Sequence, residues 1–331
     1  INIYTQYNQT IEPCELCFPQ LLNSSCKKPE PPRSDTVLIY IALCSIALLT
    51  AALNLLVIIS ISHFRQLHTP TNFLLLSLAV SDFLVGFLLI PLEIVLTETC
   101  WILGDLMCAL YYLLPIIIIS ASVGNMVLIS VDRYMAICDP LRYSVKVTQQ
   151  FVALCVFLCW VCSVFYAVIL LYDGLNHPGR YNSCIGECVV SISGAFDIVV
   201  GFIIPITVIV VLYMRVFAVA VSQARAIKSN ISLERLKTVK VKRSEIKAAR
   251  TLGILVVVFL ICYSPLYCMA LTGHAIMVGT SAEVFMIFFM YFNSCLNPVI
   301  YAIFYPWFKK AIRLIVTFQI IHPSSHDANI L

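Results

Sequence analysis

Residues 283–304 read EVFMIFFMYFNSCLNPVIYAIF, from Glu283 to Phe304. The run has the length that a helix needs to cross a bilayer core, about 20 residues at roughly 1.5 Å each. It is almost wholly apolar, yet Asn293, Ser294, Asn297 and Pro298 stand in its middle. Amides and a helix breaker are tolerated at that depth only where neighbouring helices supply hydrogen-bond partners. The run therefore predicts a spanning helix turned inward onto a bundle rather than a lone lipid anchor.

Six more apolar runs of similar length precede it: Val37–Ile61, Phe73–Leu96, Met107–Val131, Phe151–Leu171, Ser191–Tyr213 and Thr251–Leu271. They are continuous rather than alternating, which selects helices over barrel strands. Hydrophobic residues make up 61% of the 331 and charged residues 11%. Soluble domains carry about 25% charged residues, so this composition calls for lipid as solvent. The expected fold is an all-α membrane protein, a seven-transmembrane helix bundle. Its parts are an extracellular tail over 1–35, the bundle over 36–305, and an amphipathic inner-leaflet helix with a cytoplasmic tail over 306–331. Pro29–Pro32 reads as a stiff linker into the first span. No cleavable signal peptide is visible, so the first span is expected to serve as the targeting signal.

Lys and Arg set the orientation. With the N-terminus outside, Lys27, Lys28, Arg33 and Arg180 are the outer four of 21, and the rest fall inside. That asymmetry obeys the positive-inside rule. The net charge of +4 thus describes an inner surface facing anionic lipid and a cytosolic partner, not a nucleic-acid site. Pro306–Phe318 interleaves apolar residues with Lys309, Lys310 and Arg313, as a helix lying on the inner leaflet would. Seven of the 15 cysteines (Cys14, Cys17, Cys26, Cys100, Cys108, Cys184 and Cys188) fall outside or at the outer rim, where disulfides form. Asn8 and Asn23 head glycosylation triplets on the same side.

Single residues narrow the class. Asp82 closes Leu78-Ala-Val-Ser-Asp82 in the middle of the second span, and Asp132-Arg-Tyr134 ends the third at the inner face. Trp160 lies in the fourth span, Pro205 in the fifth, Ser264-Pro265 in the sixth, and Asn297-Pro-Val-Ile-Tyr301 in the seventh. In this order and spacing the set resembles the rhodopsin-like G-protein-coupled receptors. Asn293 to Phe308, with Cys138-Asp-Pro-Leu-Arg-Tyr143, is similar more narrowly to the trace amine-associated receptors. That resemblance implies a plasma-membrane, multi-pass olfactory detector of amines that acts through a stimulatory or olfactory-type heterotrimeric G protein. Other seven-span classes fit less well. A transporter would need a polar path and repeat symmetry. A retinal protein would need a Lys within Glu283–Phe304, and an enzyme a nucleophile–base constellation.

The resemblance also implies roles. Asp82, Ser122, Asn293 and Asn297 are brought together, either as a hydrogen-bonded knot or as a structural sodium site. Arg133 is tethered to Glu245 at the base of the sixth span, with Pro265 and Tyr301 as further switch positions. Cys108 pairs with Cys188, and Cys26 with Cys184, leaving Cys14, Cys17 and Cys100 unassigned with a free thiol among them. The usual amine anchor is an Asp seven residues after the disulfide cysteine of the third span. Here that position is Pro115, which cannot hold an ammonium and is expected to kink the helix. Instead Asp197 stands in the fifth span, eight residues before Pro205, among Phe196, Ile198, Val199 and Val200. An ionisable group there is a binding-site hypothesis by default, the alternative being a carboxyl tied to a nearby hydroxyl. The resemblance places Tyr291, Tyr267, Tyr263, Leu266, Ile116 and Ile119 around the same cavity. Tyr263 replaces the Trp usual two residues before the sixth-span Pro. Glu93, two residues after Pro91, is either an interfacial acid or a seat for a second ammonium, so the expected ligand is a mono- or diamine.

Overall fold

The computed structural model describes residues 15–21, 23–28, 34–97, 99–190, 194–229, 236–271, 281–322, 325–327 and 330. Six of the described helices are long and apolar enough to cross a membrane: Val37–His63, Pro70–Leu96, Asp105–Cys138, Gln149–Leu170, Gly194–Ser222 and Phe285–Phe304. Between the last two, the helix Leu236–Leu271 carries a shorter apolar stretch, Gly253–Met269. These are the seven spans of an all-α bundle. Large apolar side chains such as Phe157, Phe165 and Phe285 are more than 60% exposed on its outside. In water such a surface would aggregate; in a bilayer it is the solvated face. Inside, Leu78, Ile118, Met126, Phe259 and Tyr301 are buried in one continuous core.

Local chemistry sets where the helices begin. Thr69 caps the second span by accepting from the Asn72 amide, and Pro70 follows where its missing N–H costs nothing. Thr148 caps the fourth in the same way, from Phe151. Two spans change winding partway. Val85–Leu89 and Asp197–Ile203 are π-helical. Each stretch runs up to Pro91 or Pro205, whose missing amide breaks the ordinary ladder one turn earlier. The third span, by contrast, is one α-helix from Asp105 to Cys138 with Pro115 inside it, so the expected kink does not interrupt the helix.

The first and second spans meet at Gly86. A Cβ there would lie 2.7 Å from the Ala51 nitrogen and 2.9 Å from the Ala47 oxygen. No side chain larger than hydrogen fits between those backbones.

Three disulfides close the outer face: Cys17–Cys100, Cys26–Cys184 and Cys108–Cys188. The first joins two of the three cysteines that the sequence left unassigned; Cys14 lies outside the described residues. The tail also pairs its backbone with the second outer loop. Cys26 donates to Ile185 at 2.9 Å, and Ile185 donates to Ser24 at 2.7 Å. At the inner face, Pro306–Val316 forms a short helix with Trp307, Phe308 and Ala311 buried and Lys309 and Lys310 exposed. Beyond it the chain returns to the inner end of the first span. Ser325 meets His63 at 2.9 Å, the His63 and His326 rings stack at 3.9 Å, and Ile330 donates to Gln66 at 3.1 Å.

Candidate ligand-binding site

Asp197 opens the π-helical stretch of the fifth span and is half-buried. Its Oδ1 accepts from the Tyr166 hydroxyl of the fourth span. The Tyr267 hydroxyl of the sixth span lies within electrostatic reach of the same carboxylate. Aromatic rings flank both tyrosines: Phe196 stacks on Tyr166 at 5.9 Å, and Phe202 on Tyr267 at 4.2 Å. The acid therefore stands between the fourth and sixth spans inside an aromatic collar. Tyr166 was not legible as its partner, because nothing in a run of apolar residues says which face of the fourth helix meets the fifth.

A second acid–tyrosine pair lies across the bundle. Tyr111 of the third span donates to Glu93 of the second at 2.7 Å, and the buried Tyr291 of the seventh lies within its electrostatic reach. Tyr111 touches Trp101 at 5.7 Å and Tyr112 at 5.3 Å, and Tyr112 reaches the Cys188 carbonyl at 3.3 Å. The pair is thus tied to the disulfide-bound loop. Ile116, Ile119 and Leu266 are half-buried, the last two packed on the core. Tyr263 is buried, its ring tilted against Phe259 at 4.2 Å and close enough to sense Asp82, so it belongs to the layer beneath.

Above the bundle, a cavity of about 570 Å³ opens among the tail and the outer loops. Phe18, Asn23, Trp101, Asp105 and Glu187 line it, while Asp197 and Glu93 do not. Asp105 is held by Asn182 at 3.2 Å, and Glu187 accepts from the Ser183 amide at 2.9 Å. Asn23 is exposed here; Asn8 lies outside the described residues.

Deeper, the second, third and seventh spans enclose a polar cluster. Asp82 is 0% exposed and accepts from Asn297 Nδ2 at 2.7 Å. Its Oδ1, Ser122 Oγ, Asn297 Oδ1 and both polar atoms of the Asn293 side chain have no hydrogen-bond partner among the described residues. Burying that many polar atoms unpaired costs about 1–3 kcal/mol each. Four of the orphaned atoms are oxygens, the donor type that hard cations take. Nearby groups are partly served: the Asn54 Nδ2 donates to the Thr50 and Ser294 carbonyls at 2.9 and 3.0 Å and the Trp160 indole donates to Ser77 at 3.1 Å, while both polar side-chain atoms of Asn125 also have no partner among the described residues.

At the inner mouth Arg133 is 8% exposed and folds back onto Asp132 and Thr71. Asp132 also accepts from Thr71 at 3.1 Å and from Tyr143 at 2.9 Å. The charge is thus paired inside the bundle, as a buried cation requires. Glu245 lies on the sixth-span helix, but its side chain is outside the described residues, as is any tether from it to Arg133. Pro265 sits within that helix, and Tyr301 is buried with its ring 6.1 Å from Tyr305.

Comparison with known proteins bears on this arrangement as a whole. Residues 53–301 match the family described as 7 transmembrane receptor (rhodopsin family). Trace amine-associated receptor 4 of Mus musculus is 35% identical, covering 96% of this chain and 95% of that protein. Trace amine-associated receptor 13c of Danio rerio is 36% identical, over 98% of both chains. Trace amine-associated receptor 6 of Pan troglodytes is 38% identical, over 96% of this chain and 95% of its own.

Proposed function

The chain belongs to the rhodopsin family of seven-transmembrane receptors and, within it, to the trace amine-associated receptors, and from that premise we propose that it detects an amine by pairing the ligand's ammonium with Asp197. It is a multi-pass plasma-membrane receptor, not an enzyme. The observation that carries the proposal is a half-buried carboxylate in an apolar helix, braced by one tyrosine and faced by another. In a low-dielectric pocket a carboxylate attracts a cation far more strongly than in water. Tyrosine rings add about 0.5–2 kcal/mol for an ammonium seated on their faces. Pro115 at the usual anchor position cannot pair with that charge, whereas Asp197 can.

The bound ammonium draws the fifth span toward Tyr267, and the sixth span, which carries Pro265 within its helix, swings outward. Arg133 then leaves Asp132 and opens the cavity for a stimulatory or olfactory-type heterotrimeric G protein, raising cyclic AMP. The ligand moves this equilibrium only by its difference in affinity between the two states. Glu93 with Tyr111 and Tyr291 makes a seat for a second ammonium, so diamines belong beside monoamines as ligands. Asp82, Ser122, Asn293 and Asn297 would hold a sodium ion, which supplies charge compensation for the buried carboxylate. Lys309, Lys310 and Arg313 rest the inner helix on anionic lipid.

The test is a cyclic-AMP reporter screen of mono-, di- and polyamines on wild type and Asp197→Asn. Loss of all amine responses in the variant, at equal surface expression, supports the anchor. Amine responses that survive the substitution make Asp197 a structural group bonded to Tyr166 and leave the ligand to another site.

A further inference from the structure

The geometry points to Tyr166 and Gly201 as a positioning pair that fixes how Asp197 is presented to the ligand, an inference that rests on the amine reading above. Gly201 follows Asp197 by about one turn on the same helix. A Cβ at 201 would lie 2.6 Å from the Tyr166 hydroxyl oxygen and 2.8 Å from Asp197 Oδ1. Side chains do not approach that closely. Any residue other than glycine there must drive the phenol, the carboxylate or both from their places. The missing side chain is thus the gap through which the fourth span reaches the fifth. Tyr166 cannot swing aside at no cost, because its ring is stacked on Phe196 at 5.9 Å.

This contact has two consequences for recognition. Tyr166 takes up Oδ1 and fills the fourth-span side of the acid. The ammonium then meets Oδ2 from the side of Tyr267 and its stacked Phe202. The bound cation therefore touches the fifth and sixth spans together rather than the fourth. The phenol also limits headgroup size, since the space on the Tyr166 side of the carboxylate is already taken. Tyr166 is a positioning residue here: it acts through the carboxylate it holds and by the space it fills.

The experiment compares wild type, Tyr166→Phe, Tyr166→Ala, Gly201→Ala and the Tyr166→Phe/Gly201→Ala double variant in a cyclic-AMP reporter at matched surface expression. The probes are n-butylamine, N,N-dimethylbutylamine and 1,5-diaminopentane. Tyr166→Phe should shift the half-maximal concentration upward by roughly 10- to 100-fold, the range of a hydrogen bond to a charged group, with the maximal response kept. Gly201→Ala should act in the same direction, and the double variant should lose less than the product of the two single losses. Tyr166→Ala should narrow the gap between the dimethylated and the primary amine, an effect that a general loss of folding would not produce. Unchanged potency in Tyr166→Phe, or multiplicative losses in the double variant, would overturn the inference. Thermal unfolding of purified wild type, Tyr166→Phe, Asp197→Asn and their double variant separates the two readings. If no amine activates wild type yet the two substitutions are coupled in stability, both the amine reading and the positioning role fail and the pair is structural. If amines act through Asp197 while Tyr166→Phe behaves as wild type, only the positioning role fails.

Discussion

Asp197 and Gly86 show how unevenly single residues announce their work. A carboxylate among Phe196, Ile198, Val199 and Val200 stands out in the sequence because lipid tolerates it so poorly. Its partner did not stand out, since Tyr166 is one of 16 tyrosines and only helix packing selects it. The same holds for Gly201, whose role exists only once the fourth span is laid against the fifth. Gly86 is a structural counterpart, fixed by the 2.7 Å approach of the first span rather than by any motif. Gly86→Val should lower the stability of the purified receptor by about 1–3 kcal/mol, the usual cost of overpacking. Thermal unfolding in detergent measures it; an unchanged midpoint would mean that the two helices part without cost.

Among the elements, the seven spans were readable from run length and composition, each within a few residues at the membrane core. Their inner extensions were not. The third and sixth helices continue past the apolar runs, to Cys138 and back to Leu236, because polar residues prolong a helix once its core is anchored. The outer cap was readable only in part. Disulfide partners depend on loop geometry that counting cannot supply, so Cys17–Cys100 emerged from the structure. The short helix Tyr172–Asn176 adds a charged corner to that cap. There the Tyr181 hydroxyl, followed by Arg180 and His177, holds Asp173 below the usual carboxylate range. A lowered folded-state value gives support that is fully present above the ordinary carboxylate range and is lost as pH falls from that range through the lowered value. Tyr181→Phe removes the largest cause and should move the Asp173 titration midpoint upward, toward its ordinary value, as followed by carboxyl-resolved nuclear magnetic resonance. A downward or absent movement would show that Arg180 and His177 dominate.

For the whole molecule, the proposed sensing and signalling sites occupy different depths. The acid–tyrosine pairs lie in the outer half, the Asp82 cluster in the middle, and Arg133 at the inner mouth. The proposed function requires these layers to be coupled yet separable. Arg133→Ala should therefore abolish cyclic-AMP signalling while leaving amine binding within about threefold of wild type, since its contacts with Asp132 and Thr71 are remote from Asp197. Radioligand displacement alongside the reporter distinguishes that outcome from a global loss of folding. The wider turns at Val85–Leu89 and Asp197–Ile203 bear on the same division. Each adds a residue to a turn, so the outer part of its helix is rotated against the inner part. Restoring even α-winding through 197–203 without removing a residue would turn everything outward of it by about 100°, the angle of the one residue that the wide turn absorbs. The inner half would keep its phase, while the acid would turn away from the collar like a key cut for another lock.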